Sequence, residues 1–184
     1  MILVLAGACE TGPAPLDPQA SEAAGAPVSS DGRLALSAAV NKDLAALRRL
    51  TAPFHNFDKA EAAGWGAQIT PCLEDATLGA QGFHYGNPAF IDGEANALEP
   101  ELLLYEPQPN GRLRLVGIEY IVPFTIVPAT ADPPSLFGQD FHQNFVFGVW
   151  ALHVWVWRHN PSGLVADWNP QVSCAAAPQS IAGL

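Results

Sequence analysis

A chain of 184 residues, 49% hydrophobic and only 14% charged, is long enough for one domain with a substantial core and too apolar to be disordered throughout. Its formal net charge of −10, with eight lysines and arginines in all, argues against nucleic acid as a partner, since phosphate binding needs a clustered basic face. Arg48-Arg49 and the pair Arg112 and Arg114 come nearest to clustering, and both read as surface charge.

Residues 1–9, Met1-Ile-Leu-Val-Leu-Ala-Gly-Ala-Cys9, form an apolar stub closing on small residues before a cysteine. This is the pattern at the end of a bacterial lipoprotein signal, and it makes Cys9 the expected lipidation site. No positively charged n-region precedes it, and Ala6 stands where such signals usually have leucine. The alternative is an ordinary apolar terminus with a stray thiol. Nine residues are too few to span a bilayer, so the expected membrane contact is a lipid anchor, with an extracytoplasmic location in the periplasm or at the cell surface. Residues 10–33 carry four prolines and no aromatic residue, and read as a disordered linker.

The folded domain is expected over residues 34–175. Leu36, Val40, Leu44 and Leu47 recur at helical spacing, which predicts a helix over about Leu34–Leu50, stopped before Pro53. A second, shorter helix is predicted within Phe54–Gly64, with Asn56 as N-cap and Gly64 as terminator. His55 then lies one residue outside that helix. Trp65–Cys72 reads as a first strand. The glycine-rich stretch Gly79–Gly93 follows; on a strand, His84 shares a face with Gly82 and Gly86, whose missing side chains suit a ligand or a close backbone.

Leu102–Glu106 and Leu113–Val122 read as strands joined through Asn110-Gly111, the strongest short hairpin signal in the chain. Strict alternation along the second strand places Leu113, Leu115, Gly117, Glu119 and Ile121 on one face, opposite Arg112 and Arg114. Glu119 is therefore expected to point inward, where a carboxylate must be paired, protonated or bound to a metal. Pro123–Asp140 reads as a long loop over the sheet, and Phe141-His-Gln-Asn144 then leads into the next strand. Phe145–Arg158 is the longest β-branched and aromatic run, predicted as one buried strand with His153 at its middle and a turn at Asn160-Pro161 and Gly163. Residues 176–184 read as a flexible tail. With Cys9 lipidated, Cys72 and Cys174 remain as one pair for a disulfide that closes a loop of about 100 residues.

Several segments together resemble a family of uncharacterised bacterial secreted proteins and lipoproteins. They are Phe54-His-Asn-Phe-Asp-Lys-Ala, Gly82-Phe-His-Tyr-Gly-Asn-Pro, Leu103-Leu-Tyr-Glu-Pro, Arg114-Leu-Val-Gly-Ile-Glu-Tyr, Leu152-His-Val-Trp, and Asn160-Pro-Ser-Gly through Asn169-Pro-Gln-Val-Ser-Cys174. The resemblance covers roughly Leu44 to Cys174 and implies a lipoprotein-like location. It carries no catalytic role.

No zinc-protease, phosphate-loop, dinucleotide or serine-hydrolase motif occurs, and Cys-x-x-Cys-His is absent, so neither a nucleotide cofactor nor covalent haem is expected. The chemistry-bearing residues are dispersed: His84, Glu119 and His153, with His55 and His142 as further candidates. Two or three imidazoles and one carboxylate suit zinc, copper, iron or nickel. Against that stands a purely structural network in which Glu119 satisfies His153 or Tyr85 and fixes strand register. A third alternative is a binding pocket for a small apolar ligand lined by Tyr85, Trp155 and Trp157. Whether the chain is an enzyme is left open. The expected architecture is α+β: two N-terminal helices packed on a curved, mainly antiparallel sheet or partial barrel.

Overall fold

The computed structural model describes residues 36–178. The lipobox-like Cys9, the linker 10–33 and residues 179–184 of the tail lie outside the described residues. The fold is α+β, with one substantial helix and a mainly antiparallel sheet of seven strands.

Helix α1 spans Ala38–Thr51. It begins there because the Ser37 hydroxyl accepts a hydrogen bond from the Val40 N–H at 3.2 Å, satisfying a donor the first turn leaves free. Its alanine-rich sequence favours the helix, and Leu44 and Leu47 are buried against the sheet. Burying each contributes about 1.5–3 kcal/mol. Arg48 and Arg49 sit in the last turn, where positive charge suits the helix dipole, and Arg48 Nε also donates to the Val156 carbonyl. Pro53 ends the helix by opening a 3-10 turn over Ala52–His55. A six-residue segment, α2 (Phe57–Ala62), follows, with Asn56 Oδ1 accepting from the Asp58 N–H.

The strands are β1 (Ala67–Gln68), β2 (Leu73–Asp75), β3 (Gly79–Gly86), β4 (Leu102–Pro107), β5 (Leu113–Pro123), β6 (Ser135–Leu136), β7 (Gln139–Asp140), β8 (His142–Asn144) and β9 (Val149–Val154). The main sheet runs β1-β3-β4-β5-β9-β8, with β2 also paired to β3, while β6 and β7 form a separate hairpin. Every pairing is antiparallel. The Asn110-Gly111 turn joins β4 to β5 as its residues predict. The expected strand Trp65–Cys72 shrinks to the pair Ala67–Gln68, and Pro71, with no N–H to donate, separates it from β2.

Both faces of the sheet are covered, and every residue of β4 is buried. On one face Leu103, Tyr105, Ile118, Tyr120, Leu152 and Val154 pack with α1, and the Tyr105 hydroxyl donates to the Phe54 carbonyl at 2.7 Å. On the other lie Leu102, Leu104, Glu119, Ile121, Ala151 and His153, set by direct cross-strand pairing. A β-bulge corrects the simple alternation along β5. Tyr105 pairs with Leu115 but Leu104 pairs with Gly117, so Val116 is an extra residue. Leu115 therefore faces the helix, whereas Glu119 lies on the opposite face beside Ile121, buried all the same.

The run Phe145–Arg158 is not one strand. Asn144 Oδ1 accepts hydrogen bonds from the N–H groups of Val146 and Phe147, and Gly148 adopts φ 69°, so the chain turns there. Turn chemistry overrides composition: β8 and β9 form a hairpin whose tip, Phe145-Val-Phe147, is exposed. The C-terminal segment returns across β3 through a bridge between Asn169 and Ala80. Cys174 then bonds Cys72 with an S–S distance of 2.00 Å, across 102 residues of sequence. Glu74 and Glu106 hold this segment by accepting from the N–H groups of Cys174 and Ser173. Among the described residues no helix is long and apolar enough to cross a membrane.

Candidate metal centre

His84 comes from β3, Glu119 from β5 and His153 from β9. Glu119 and His153 are directly opposite each other across the β5–β9 ladder, so their side chains emerge together on one face. His84 lies two strands from Glu119, with β4 between them, about 10 Å at the usual strand spacing. Its ring crosses that gap by leaning over β4, bringing Nε2 to 3.2 Å from Glu119 Oε2. His153 Nε2 stands 3.7 Å from Glu119 Oε1. All three residues are buried, and one donor atom from each lies within 4.8 Å of the others.

The glycines beside His84 act through close packing. Gly82, at φ 88°, brings the backbone to where a Cβ would stand 2.4 Å from the Tyr105 carbonyl oxygen. At Gly86 a Cβ would stand 2.9 Å from Ile69 Cγ1. The two positions therefore admit neighbouring backbone and an isoleucine rather than empty space. They let β3 approach β4 closely enough for the imidazole to lie across it.

The second nitrogen of His84 is occupied: Nδ1 lies 2.8 Å from the hydroxyl of buried Thr70. That contact orients the ring with Nε2 toward Glu119. His153 is different. Both of its ring nitrogens are buried with no hydrogen-bond partner among the described residues. Nδ1 faces Asp167 Oδ1 at 3.5 Å, and the same oxygen lies 3.4 Å from His142 Nδ1. An unmade hydrogen bond on a buried imidazole costs about 1–3 kcal/mol, which a metal ion bound at Nε2 would offset.

Burial, with the neighbouring His153, pushes the pKa of His84 down to about 3, so its imidazole is neutral at physiological pH. For His153, burial opposes the charged form, but Glu119 and Asp167 outweigh it and raise the pKa. Glu119 is raised by its own burial, which the charge of His153 only partly offsets. A second buried acid, Glu101, accepts a hydrogen bond from the Ile121 N–H through Oε2, while Oε1 has no partner among the described residues. Burial pushes its pKa up to about 8.

The donor set fits a small transition-metal ion. Tetrahedral bonds of about 2.0–2.1 Å place neighbouring donors about 3.3–3.4 Å apart. His84 and His153 face different oxygens of Glu119, at 3.2 and 3.7 Å, and one donor atom from each residue lies within 4.8 Å of the others, so the side chains would draw together to share one ion. Two imidazoles and one carboxylate suit zinc, copper, iron or nickel, and binding would displace the protons that the metal-free site favours on His153 and Glu119.

The remaining candidates separate. His142 is half-exposed; its ring is parallel to His153 at 6.4 Å, and it joins the cluster only through Asp167. His55 lies apart, on the helix side, packed edge-on against Trp157 at 4.5 Å. Trp155 is parallel to His153 at 6.3 Å, but Tyr85 and Trp157 pack into the helix-side core, so the three aromatics do not converge. Thr70, Asp167 and Glu101 carry no sequence motif. Asp167 is brought to the site by the segment before it, whose Leu164 and Ala166 carbonyls accept from the Trp155 N–H and indole N–H. Its proximity to the disulfide-closed C-terminus is the one sequence cue that it would be tied down. Comparison with protein-family models, curated proteins and solved structures finds no match to this chain.

Proposed function

We propose that this chain is a membrane-tethered extracytoplasmic lipoprotein domain that binds one transition-metal ion through His84, Glu119 and His153. The observation that carries the metal assignment is the buried His153 ring, whose Nε2 makes no hydrogen bond among the described residues and faces the carboxylate that also faces His84. The helical elements cap one face of a curved sheet, and the centre occupies the other. An apolar stub ending at Cys9, a proline-rich linker and the Cys72–Cys174 bridge support the location, since disulfides persist in oxidising compartments. An ion held by three side chains keeps a position open, where it would polarise a small ligand or a water molecule. Thr70 would fix the ring of His84 and Asp167 that of His153.

The experiment is metal analysis of the chain carrying Cys9→Ser, purified with its disulfide oxidised. Titration with Zn²⁺ and Co²⁺ should show one ion per chain, with the Co²⁺ complex giving the visible absorption of a tetrahedral site. His84→Ala and His153→Ala should each abolish that spectrum. Failure to take up either ion at one equivalent overturns the assignment. Fractionation of cells producing the natural chain tests the location, and recovery from the soluble cytoplasm would overturn it.

A further inference from the structure

His84 and Glu119, with Thr70, Gln81 and Asn144, also form the polar wall of a cavity of about 150 Å³. Most of its surface is apolar, contributed by Leu102, Ile121, Val149 and Phe147. Phe147 belongs to the β8–β9 tip and is 52% exposed, so the cavity lies under a side chain at the surface. Gln81 is only 8% exposed, yet its amide makes no side-chain hydrogen bond among the described residues. A largely buried side chain normally partners its polar atoms, and Gln81 lines the cavity with its amide unpaired among those residues.

We propose that this cavity is a binding pocket for a small neutral molecule of single-ring size, mainly apolar and carrying one hydrogen-bonding group. The volume sets the size: a dry engineered cavity of about 150 Å³ takes up benzene. The apolar walls set the body of the ligand, and the Gln81 amide sets the need for one polar group. Glu119 and a net charge of −10 disfavour an anion. His153 stands outside the cavity lining, so a molecule in the pocket meets the centre from the side of His84 and Glu119. The pocket does not require the ion and goes beyond the metal assignment.

The test is a titration of the full chain, disulfide oxidised and stripped with chelator, with benzene, phenol, pyrazole and the oversized indole. Saturation-transfer NMR and thermal shift report binding. Phenol and pyrazole should bind at millimolar concentration or better, benzene about tenfold more weakly for want of one hydrogen bond, and indole not at all. Val149→Phe should abolish phenol binding by filling the cavity. Gln81→Leu should weaken phenol about tenfold and leave benzene unchanged. No binding of any probe overturns the proposal, as does equal weakening of phenol and benzene by Gln81→Leu or unchanged binding in a folded Val149→Phe. Because no metal is present, these failures leave the metal assignment standing, and a chain that takes phenol but no ion upholds the pocket alone.

Discussion

Replacing Asp167 with asparagine separates a metal-positioning carboxylate from a merely structural one. Asp167 Oδ1 faces His153 Nδ1 at 3.5 Å and His142 Nδ1 at 3.4 Å, so it meets the His153 ring nitrogen that does not face Glu119. Its side chain is 44% exposed while that of His153 is buried, so the pair is partly screened by solvent, and losing it should cost the metal-free protein about 1 kcal/mol. Its effect on the ion should be larger. A carboxylate behind a ligating histidine fixes the ring and raises its basicity, and removing such a partner typically lowers metal affinity about 10–100-fold, or about 1.4–2.7 kcal/mol. Competition titration of Zn²⁺ against a chromophoric chelator, with urea denaturation of the metal-free forms, measures both quantities. His142→Ala, which reaches the centre only through Asp167, should have a smaller effect on affinity than Asp167→Asn. Affinity within twofold of the parent, or a stability loss exceeding the loss in binding energy, would refute the positioning role.

Three further outcomes follow from the same geometry. Glu119→Gln should reduce Zn²⁺ affinity about 100-fold or more while the metal-free Tm moves little; a stability loss of about 3–5 kcal/mol with unchanged affinity would instead mark a structural network. Reducing Cys72–Cys174 frees a loop of 102 residues' separation, worth about 4.7 kcal/mol in the chain-entropy account, so calorimetry with reductant should show a Tm about 10–15 °C lower, and a drop below about 3 °C would contradict it. Glu101, with a folded pKa raised to about 8 from 4.5, contributes stability that is present below pH 4.5 and lost as pH rises toward 8. Glu101→Gln keeps an acceptor for the Ile121 N–H and should flatten that slope, gaining on the order of 2–4 kcal/mol relative to the parent at pH 8; an unchanged slope would assign the pH dependence elsewhere.

Much of the local structure was legible because it depends on neighbours in sequence. Asn56 caps its short helix through a hydrogen bond two residues long, and Asn110-Gly111 turns β4 into β5, whereas the Ser37 cap that starts α1 four residues after the expected Leu34 was missed. Glu119 and His153 stood out because a titratable group within an apolar strand needs a partner wherever that strand is placed, and His84 because Gly82 and Gly86 flank it on the same face. The Cys72–Cys174 pairing was legible by elimination once Cys9 was set aside. Alternation along β5 misled because an extra residue, Val116, carries no mark in the sequence; a bulge is defined by what the partner strand presents. The apolar run through Phe145–Phe147 misled for a similar reason. Asn144 and Gly148 set a tight turn there, and the local chemistry of the turn prevailed over hydrophobic composition.

The amino-acid order by itself determined the α1 helix, the β4–β5 hairpin, the α+β class and the few residues able to do chemistry. Each of these rests on interactions among residues close in the chain or on the cost of burying a charge anywhere. Only the tertiary structure decided that His84 reaches across β4, that Asp167 rather than His55 stands behind His153, and that Gln81 borders an open pocket. Those relations depend on strand order, register and the return of the C-terminal segment, and distances of a few ångströms between residues dozens of positions apart leave no periodic trace in a single chain.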